Sequence, residues 1–304
     1  MAAPGRFGAV LCAMVTPFGP DGSLDLDGSV ALAKWLAQNG NDGLVLAGTT
    51  GEAPTLSGSE KVALWEAVRS AVSIPLLAGT GTASTAGTVE LTKAAAAAGM
   101  DGVLVVVPYY NRPSQAGIEA HFRAVASATD LPVVLYDIPK RTGRELKAAT
   151  LAQLAGDGTI AGLKDAAGNP AATAALIKQA PHGFEVYSGD DAMTLPLLAV
   201  GAVGVISVAS HWAGPEISEM IACYTKGDTE TALQMNERLV ESWDFQTTDA
   251  APNPVPTKAM LRALGLPSGE CRLPMGPTPP GLEQRARQVW SNLHDRPLPA
   301  RANG

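Results

Sequence analysis

Eight short apolar runs, helical stretches between them and a glycine turn that recurs at their joints predict an α/β fold, a (β/α)8 TIM barrel with a C-terminal helical appendage. The runs cover residues 9–15, 43–47, 75–78, 103–107, 132–136, 160–163, 184–187 and 203–208. Each is bounded by Gly or Pro, and most are rich in Val, Ile and Leu. Continuous apolar character, without alternation, marks strands buried on both faces, as in a parallel sheet.

The elements follow in order. Residues 7–15 mimic a short export signal but run into the turn Pro17-Phe18-Gly19-Pro20-Asp21-Gly22, so they read as the first strand. Helical composition then fills 26–39, 59–72, 84–98, 114–128 and 171–179, giving strand and helix in alternation. Gly40-Asn41-Asp42-Gly43-Leu44-Val45-Leu46 is echoed by Gly99-Met100-Asp101-Gly102-Val103-Leu104-Val105, and more loosely from Gly201. Each copy reads as a glycine past a helix end, then a tight turn into a buried strand. Residues 192–215 carry no Asp, Glu, Lys or Arg and are long enough to span a bilayer. Pro196, Gly201, Gly204 and Gly214 divide them into a short helix, a turn and a buried strand instead. Beyond Pro215 only helical patterns remain, at 229–245, 257–264 and 280–293. The barrel is expected over residues 1–225 and the helical region over 226–304. An open doubly wound sheet is the alternative, but no Gly-x-Gly-x-x-Gly follows the first strand.

Composition excludes several functions. The chain has 304 residues, 46% of them hydrophobic, too apolar for disorder. Lys and Arg number 22 against 29 Asp and Glu, a net charge of −7, which lacks the basic footprint of a nucleic-acid binder. Three scattered cysteines, Cys12, Cys223 and Cys271, form neither a disulfide framework nor a metal knuckle, and point to a reducing cytoplasm. No metal-ligand cluster stands out, and neither a metal nor a cofactor is expected.

In a barrel, chemistry gathers at the C-terminal ends of the strands. There the sequence has Gly48-Thr49-Thr50-Gly51-Glu52, able to nest a carboxylate with N–H and hydroxyl groups, or simply to cap a helix. Further along are Tyr109-Tyr110-Asn111-Arg112-Pro113, Tyr136-Asp137, Arg141-Thr142-Gly143, Lys164 and Ser188-Gly189-Asp190-Asp191. Lys164 closes an apolar run. Desolvation there would lower its pKa toward that of a Schiff-base nucleophile, unless it extends to pair with Asp165 or another carboxylate. Tyr136 is either a proton donor or a core aromatic with a satisfied hydroxyl. Arg141 is either a carboxylate clamp or a solvated loop residue. Together they place an amine, phenols, a carboxylate nest and an arginine at one rim.

Gly48-Thr49-Thr50-Gly51-Glu52, the 28-residue step from Tyr136 to Lys164 and Gly162-Leu163-Lys164-Asp165 resemble the pyruvate-dependent class I aldolase and synthase family, which includes the N-acetylneuraminate lyases. The resemblance runs from Gly8 to about Leu293. Tyr109-Tyr110-Asn111-Arg112-Pro113-Ser114-Gln115 and Arg141-Thr142-Gly143 are similar to its dihydrodipicolinate synthase branch. This resemblance implies pyruvate and L-aspartate 4-semialdehyde as substrates, joined to give 4-hydroxy-tetrahydrodipicolinate in lysine and diaminopimelate biosynthesis. It implies Lys164 as imine-forming nucleophile and Tyr136 as proton donor and acceptor. Thr49 would link Tyr136 to Tyr110, which would reach into a neighbouring subunit's site. Thr50 would hold the pyruvate carboxylate, Arg141 would bind the second substrate, and Gly189 and the Ile206 carbonyl would line the pyruvate pocket. A homotetramer of two dimers is implied.

The chain departs from this pattern at Asp137, where asparagine is common, and at Lys140, where a small residue is common. A related Schiff-base aldolase, acting on a 2-keto-3-deoxy sugar acid or 4-hydroxy-2-oxoglutarate, is therefore the alternative. The feedback site for L-lysine in some relatives uses a histidine, an asparagine and a glutamate. The matching positions are Gly58 or Lys61, Ala83 and Gly87, with Tyr109 retained. L-Lysine is expected to inhibit weakly or not at all, which an inhibition curve through the sub-millimolar range checks.

Overall fold

In the computed structural model, which describes residues 5–295, eight parallel strands close into a barrel in sequence order. They are β1 (Val10–Ala13), β2 (Gly43–Leu46), β3 (Leu76–Gly79), β4 (Gly102–Val106), β5 (Val133–Asp137), β6 (Gly162–Asp165), β7 (Glu185–Ser188) and β8 (Gly204–Ser207). Pairing of β1 with β8 completes the ring.

Helices α1 (Leu26–Gln38), α2 (Gly58–Ala71), α3 (Thr85–Ala97) and α4 (Gln115–Ala126) return the chain between the first five strands. Short polar side chains start them. Asp25, Ser84 and Ser114 accept from the N–H groups of Gly28, Gly87 and Gly117, and Ser57 with Glu60 forms a reciprocal capping box on α2. Each such cap contributes about 1 kcal/mol. The connection from β5 to β6, where the strand–helix alternation implies one helix, holds two, α5 (Pro139–Thr142) and α6 (Ala148–Gly156). The break is local: Gly143 adopts φ 70° and stops α5 after one turn. Helices α7 (Pro170–Gln179) and α8 (Thr194–Leu198) complete the inter-strand returns. The uncharged stretch 192–215 is divided as expected, and no helix among the described residues is long and apolar enough to cross a membrane.

After β8 come α9 (Ser210–Lys226), α10 (Thr229–Phe245), α11 (Val255–Ala263) and α12 (Leu282–Asp295). Helix α9 bends at Ala213, two residues before Pro215, whose ring cannot continue the regular ladder.

Three apolar layers hold the fold. Leu11, Ala13, Val45, Leu77, Leu104 and Ile206 fill the barrel interior with others. A second layer lies between strands and the helix ring, with Trp65, Phe122 and Leu154 fully buried. A third joins α9, α10 and α12 through Trp212, Ile217, Met235, Leu239 and Val289. The repeated glycine turn has a steric reason. Gly40 lies at φ 75°, and a Cβ there would come within 2.4 Å of the Gly214 carbonyl carbon.

Candidate active site

The strand register brings the reactive side chains together. Tyr136 on β5 pairs with Lys164 on β6. The lysine Nζ lies 4.4 Å from the centre of the Tyr136 ring. Strand β6 lies two residues further along than the apolar run suggested. Lys164 and Asp165 are inside the ladder, not beyond it, because the closed barrel supplies a polar mouth that an apolarity criterion cannot anticipate. Lys164 is 5% and Tyr136 6% exposed. Lys164 makes no ion pair with Asp165, whose Oδ2 instead accepts from the Thr173 hydroxyl at 2.5 Å.

Burial is the largest influence on both groups. It lowers Lys164 to about 8, against a smaller raising effect from the buried Asp191 carboxylate and a lowering one from Arg141. Near neutral pH that leaves on the order of 10²-fold more free amine than an exposed lysine has. Burial pushes the Tyr136 phenol up to about 12, while Arg141 and a hydrogen bond with the Thr49 side chain pull it down. The pair is an amine that gives up its proton far more readily than an exposed lysine, beside a protonated phenol.

The Gly48–Glu52 loop closes the next side of the cleft. Ala47 and Glu52 flank it at φ 53° and 56°, an unfavourable conformation for residues with a Cβ. A Cβ on Gly79 would come within 2.3 Å of the Ala47 carbonyl oxygen, so the neighbouring strand must carry glycine. Thr50 is buried and accepts a 2.9 Å hydrogen bond from Asn253 Nδ2. Across the cleft, a Cβ on Gly189 would meet Lys164 Cγ at 3.0 Å, so glycine lets that loop approach the lysine. Arg141, exposed on α5, lines the same opening. The cleft has a volume of about 470 Å³.

Six of the eight residues expected at the site, Lys164, Tyr136, Thr49, Thr50, Arg141 and Gly189, line this cleft. Ile206 packs in the barrel-interior cluster that also holds Tyr136 and does not line the cleft, whereas Val208 does. Tyr110 lies outside it, 92% exposed at φ 71°.

The sequence matches the model of the dihydrodipicolinate synthetase family over residues 6–291. The chain belongs to that family. It is 50% identical over 272 residues to the 4-hydroxy-tetrahydrodipicolinate synthase of Moorella thermoacetica, covering 89% of this chain and 92% of the relative. The Bacillus subtilis synthase is 46% identical over 275 residues, 90% of this chain and 94% of its own. The lysine-bound crystal structure of the Cyanidioschyzon merolae enzyme superposes with a TM-score of 0.92 at 44% identity, covering 95% of this chain and 99% of that one.

Two functional neighbours carried no signal that sequence reasoning used. Asp191, fully enclosed, accepts from the Ser207 hydroxyl and from the N–H groups of Val208 and Ala209 at 2.9 and 3.2 Å. It stood in a run already noted at the strand end, but only the fold shows that it faces Lys164. Asn253 and the 246–252 segment before it wall the cleft from a region expected to be a helical appendage, where no periodicity marks them.

Asp137 has a consequence for stability. It is 5% exposed and registers directly beside Asp165, and its Oδ1 has no partner. Burial, then Asp165, then Glu145 raise it to about 7. A carboxyl whose folded pKa lies above its unfolded value binds more protons when folded. Stability is therefore lost as pH climbs from about 4 through 7. The full shift corresponds to about 4 kcal/mol; relaxation toward the new charge brings the expected loss to on the order of 2 kcal/mol. Asp137→Asn should remove this slope, melting higher than the parent at pH 8 and about equally below pH 4. Parallel pH profiles of Tm for the two proteins would refute the assignment.

Proposed function

We propose that this chain condenses pyruvate with L-aspartate 4-semialdehyde to give 4-hydroxy-tetrahydrodipicolinate, in lysine and diaminopimelate biosynthesis. The observation that carries the reading is Lys164, buried, without an ion pair among the described residues and lowered to about 8, against Tyr136 at the mouth of the barrel. The free amine attacks C2 of pyruvate. The carbinolamine loses its oxygen as water, with Tyr136 supplying the proton, and an imine forms. Loss of a C3 proton gives the enamine, whose C3 attacks the semialdehyde carbonyl. The amino group of the added substrate then displaces Lys164 by transimination, closing a six-membered ring and regenerating the lysine.

Thr49 relays protons to and from Tyr136, in line with their hydrogen bond. Thr50 and the surrounding amides hold the pyruvate carboxylate, Arg141 binds the carboxylate of the semialdehyde, and Gly189 and the Ile206 carbonyl bound the pocket. Tyr110 completes the relay from a neighbouring subunit, which fits its exposure and strained backbone. The enzyme thus works as at least a dimer, in a tetramer of two dimers, in the cytoplasm.

Incubation with pyruvate, borohydride reduction and peptide mass spectrometry test the reading. A pyruvate-derived adduct on Lys164 is expected, and no adduct, or one elsewhere, overturns it. Arg141→Ala distinguishes this reading from an aldolase with another second substrate. Losing a charged hydrogen-bond donor costs about 3 kcal/mol, or ~10²-fold in kcat/KM for the semialdehyde, with pyruvate trapping unchanged. Unaltered semialdehyde turnover would assign the second substrate to another pocket.

A further inference from the structure

A directed chain of hydrogen bonds reaches the cleft from the C-terminal region. The Thr257 hydroxyl, fully buried on α11, donates to Asn253 Oδ1 at 3.2 Å. In this arrangement Asn253 Nδ2 faces Thr50 and donates to its Oγ1 at 2.9 Å. The Asn253 backbone N–H is anchored in turn on Thr247 Oγ1 at 3.2 Å. Thr50 Oγ1 is therefore occupied as an acceptor. Its own hydrogen has no acceptor among the described residues, although the side chain lines the cleft. A hydroxyl that already accepts from inside the protein has its proton left to give outward.

We propose that Asn253 is a positioning residue: held by Thr257, it turns the Thr50 hydroxyl into an obligate donor toward the carboxylate of the bound 2-oxo acid. This rests on the reading that pyruvate occupies the Lys164 cleft. The polarity of the chain matters more than its existence. A carboxylate at position 253 can only accept. It would still take the Thr257 hydrogen, but it would also capture the Thr50 hydrogen and turn a lone pair toward the substrate. Asn253→Asp keeps shape and reverses direction.

The test measures the KM for pyruvate, kcat, the KM for the semialdehyde and the pyruvate dependence of borohydride trapping. In Asn253→Asp, the pyruvate KM and the half-saturation of trapping should rise about 10- to 100-fold, the range for a charged hydrogen bond lost or opposed. The semialdehyde KM should stay within about twofold, because Arg141 is untouched. The new charge could also repel pyruvate directly, so the same substitution is made in a Thr50→Val background. There the hydroxyl is gone, and Asn253→Asp should have no further effect on the pyruvate KM. Thr257→Val, which frees the amide to turn over, should raise the pyruvate KM by about two- to fivefold without changing the semialdehyde KM. It also serves if Asn253→Asp folds poorly by thermal melt. Equal effects of Asn253→Asp with and without the Thr50 hydroxyl, or an unchanged pyruvate KM in Asn253→Asp or Thr257→Val, would overturn the proposal. Absence of trapping in the parent enzyme would instead overturn the reading beneath it.

Discussion

Replacing Lys164 by methionine should abolish pyruvate trapping, lower turnover by at least ~10⁴-fold, and make the protein more stable near neutral pH. The first two effects follow from chemistry, because a thioether cannot form an imine. The third follows from linkage. Lys164 is lowered to about 8 mainly by burial, so its charged form is held at a cost in the folded state. That cost is fully present below the folded pKa. The folded lysine sheds its proton before the unfolded one, so stability rises with pH between about 8 and 10.5, and the penalty fades across that window. Methionine matches the stem in volume and carries no charge. Asp191 keeps three donors and is not orphaned by the change. At pH 7 the variant should gain on the order of 1–3 kcal/mol, and the gain should shrink toward pH 10. Calorimetric melts at pH 7 and 9.5 decide the matter. A destabilised variant at pH 7 would mean that Lys164 is held by attraction rather than tolerated for its reactivity.

The sequence reveals most where local pattern and global fold agree. The eight apolar runs reappear as eight strands because a barrel strand is covered on both faces, so burial shows as an unbroken run of Val, Ile and Leu. Helix α10 begins and ends at the expected residues, since Asp228 caps it and its apolar stripe is regular. Legibility fails at the barrel mouth. There Lys164 and Asp165 continue β6 with polar side chains, and the interior they face exists only once the ring closes. It fails again at Asn253 and Asp191. Each contacts its partner across a long stretch of chain, Asn253 reaching Thr50 and Asp191 reaching Ser207 through hydrogen bonds that leave no periodic trace. Tyr110 is the opposite case. Its place beside Tyr109 marked it, and the fold leaves it exposed, outside the cleft.

The largest loss of stability should come from Lys258→Met, about 3–5 kcal/mol. Lys258 Nζ meets Glu52 Oε1 at 2.6 Å, and neither side chain is more than 1% exposed. The ammonium also donates to the Glu270 carbonyl at 3.1 Å and lies 4.1 Å from the centre of the Phe18 ring. The Arg272 guanidinium lies 4.2 Å from that ring, and the Arg272 backbone N–H donates to Glu52 Oε2 at 2.9 Å. Methionine would leave the Glu52 charge in a dry site with one backbone donor and the weak Cys271 thiol. The damage comes from that abandoned charge, not from the loss of an attraction that desolvation largely offsets. Removing both charges tests this. Glu52→Gln keeps an acceptor for the Arg272 N–H, so adding it to Lys258→Met should recover more than half of the lost stability. Activity should follow the same order, because Glu52 ends the loop that presents Thr49 and Thr50 and holds it in a left-handed turn. If the double variant were as unstable as the sum of the two singles, the pair would be a net source of stability in its own right. The link between the C-terminal segment and the Thr49-Thr50 loop would then be electrostatic attraction, where the charge-abandonment account makes it satisfied burial.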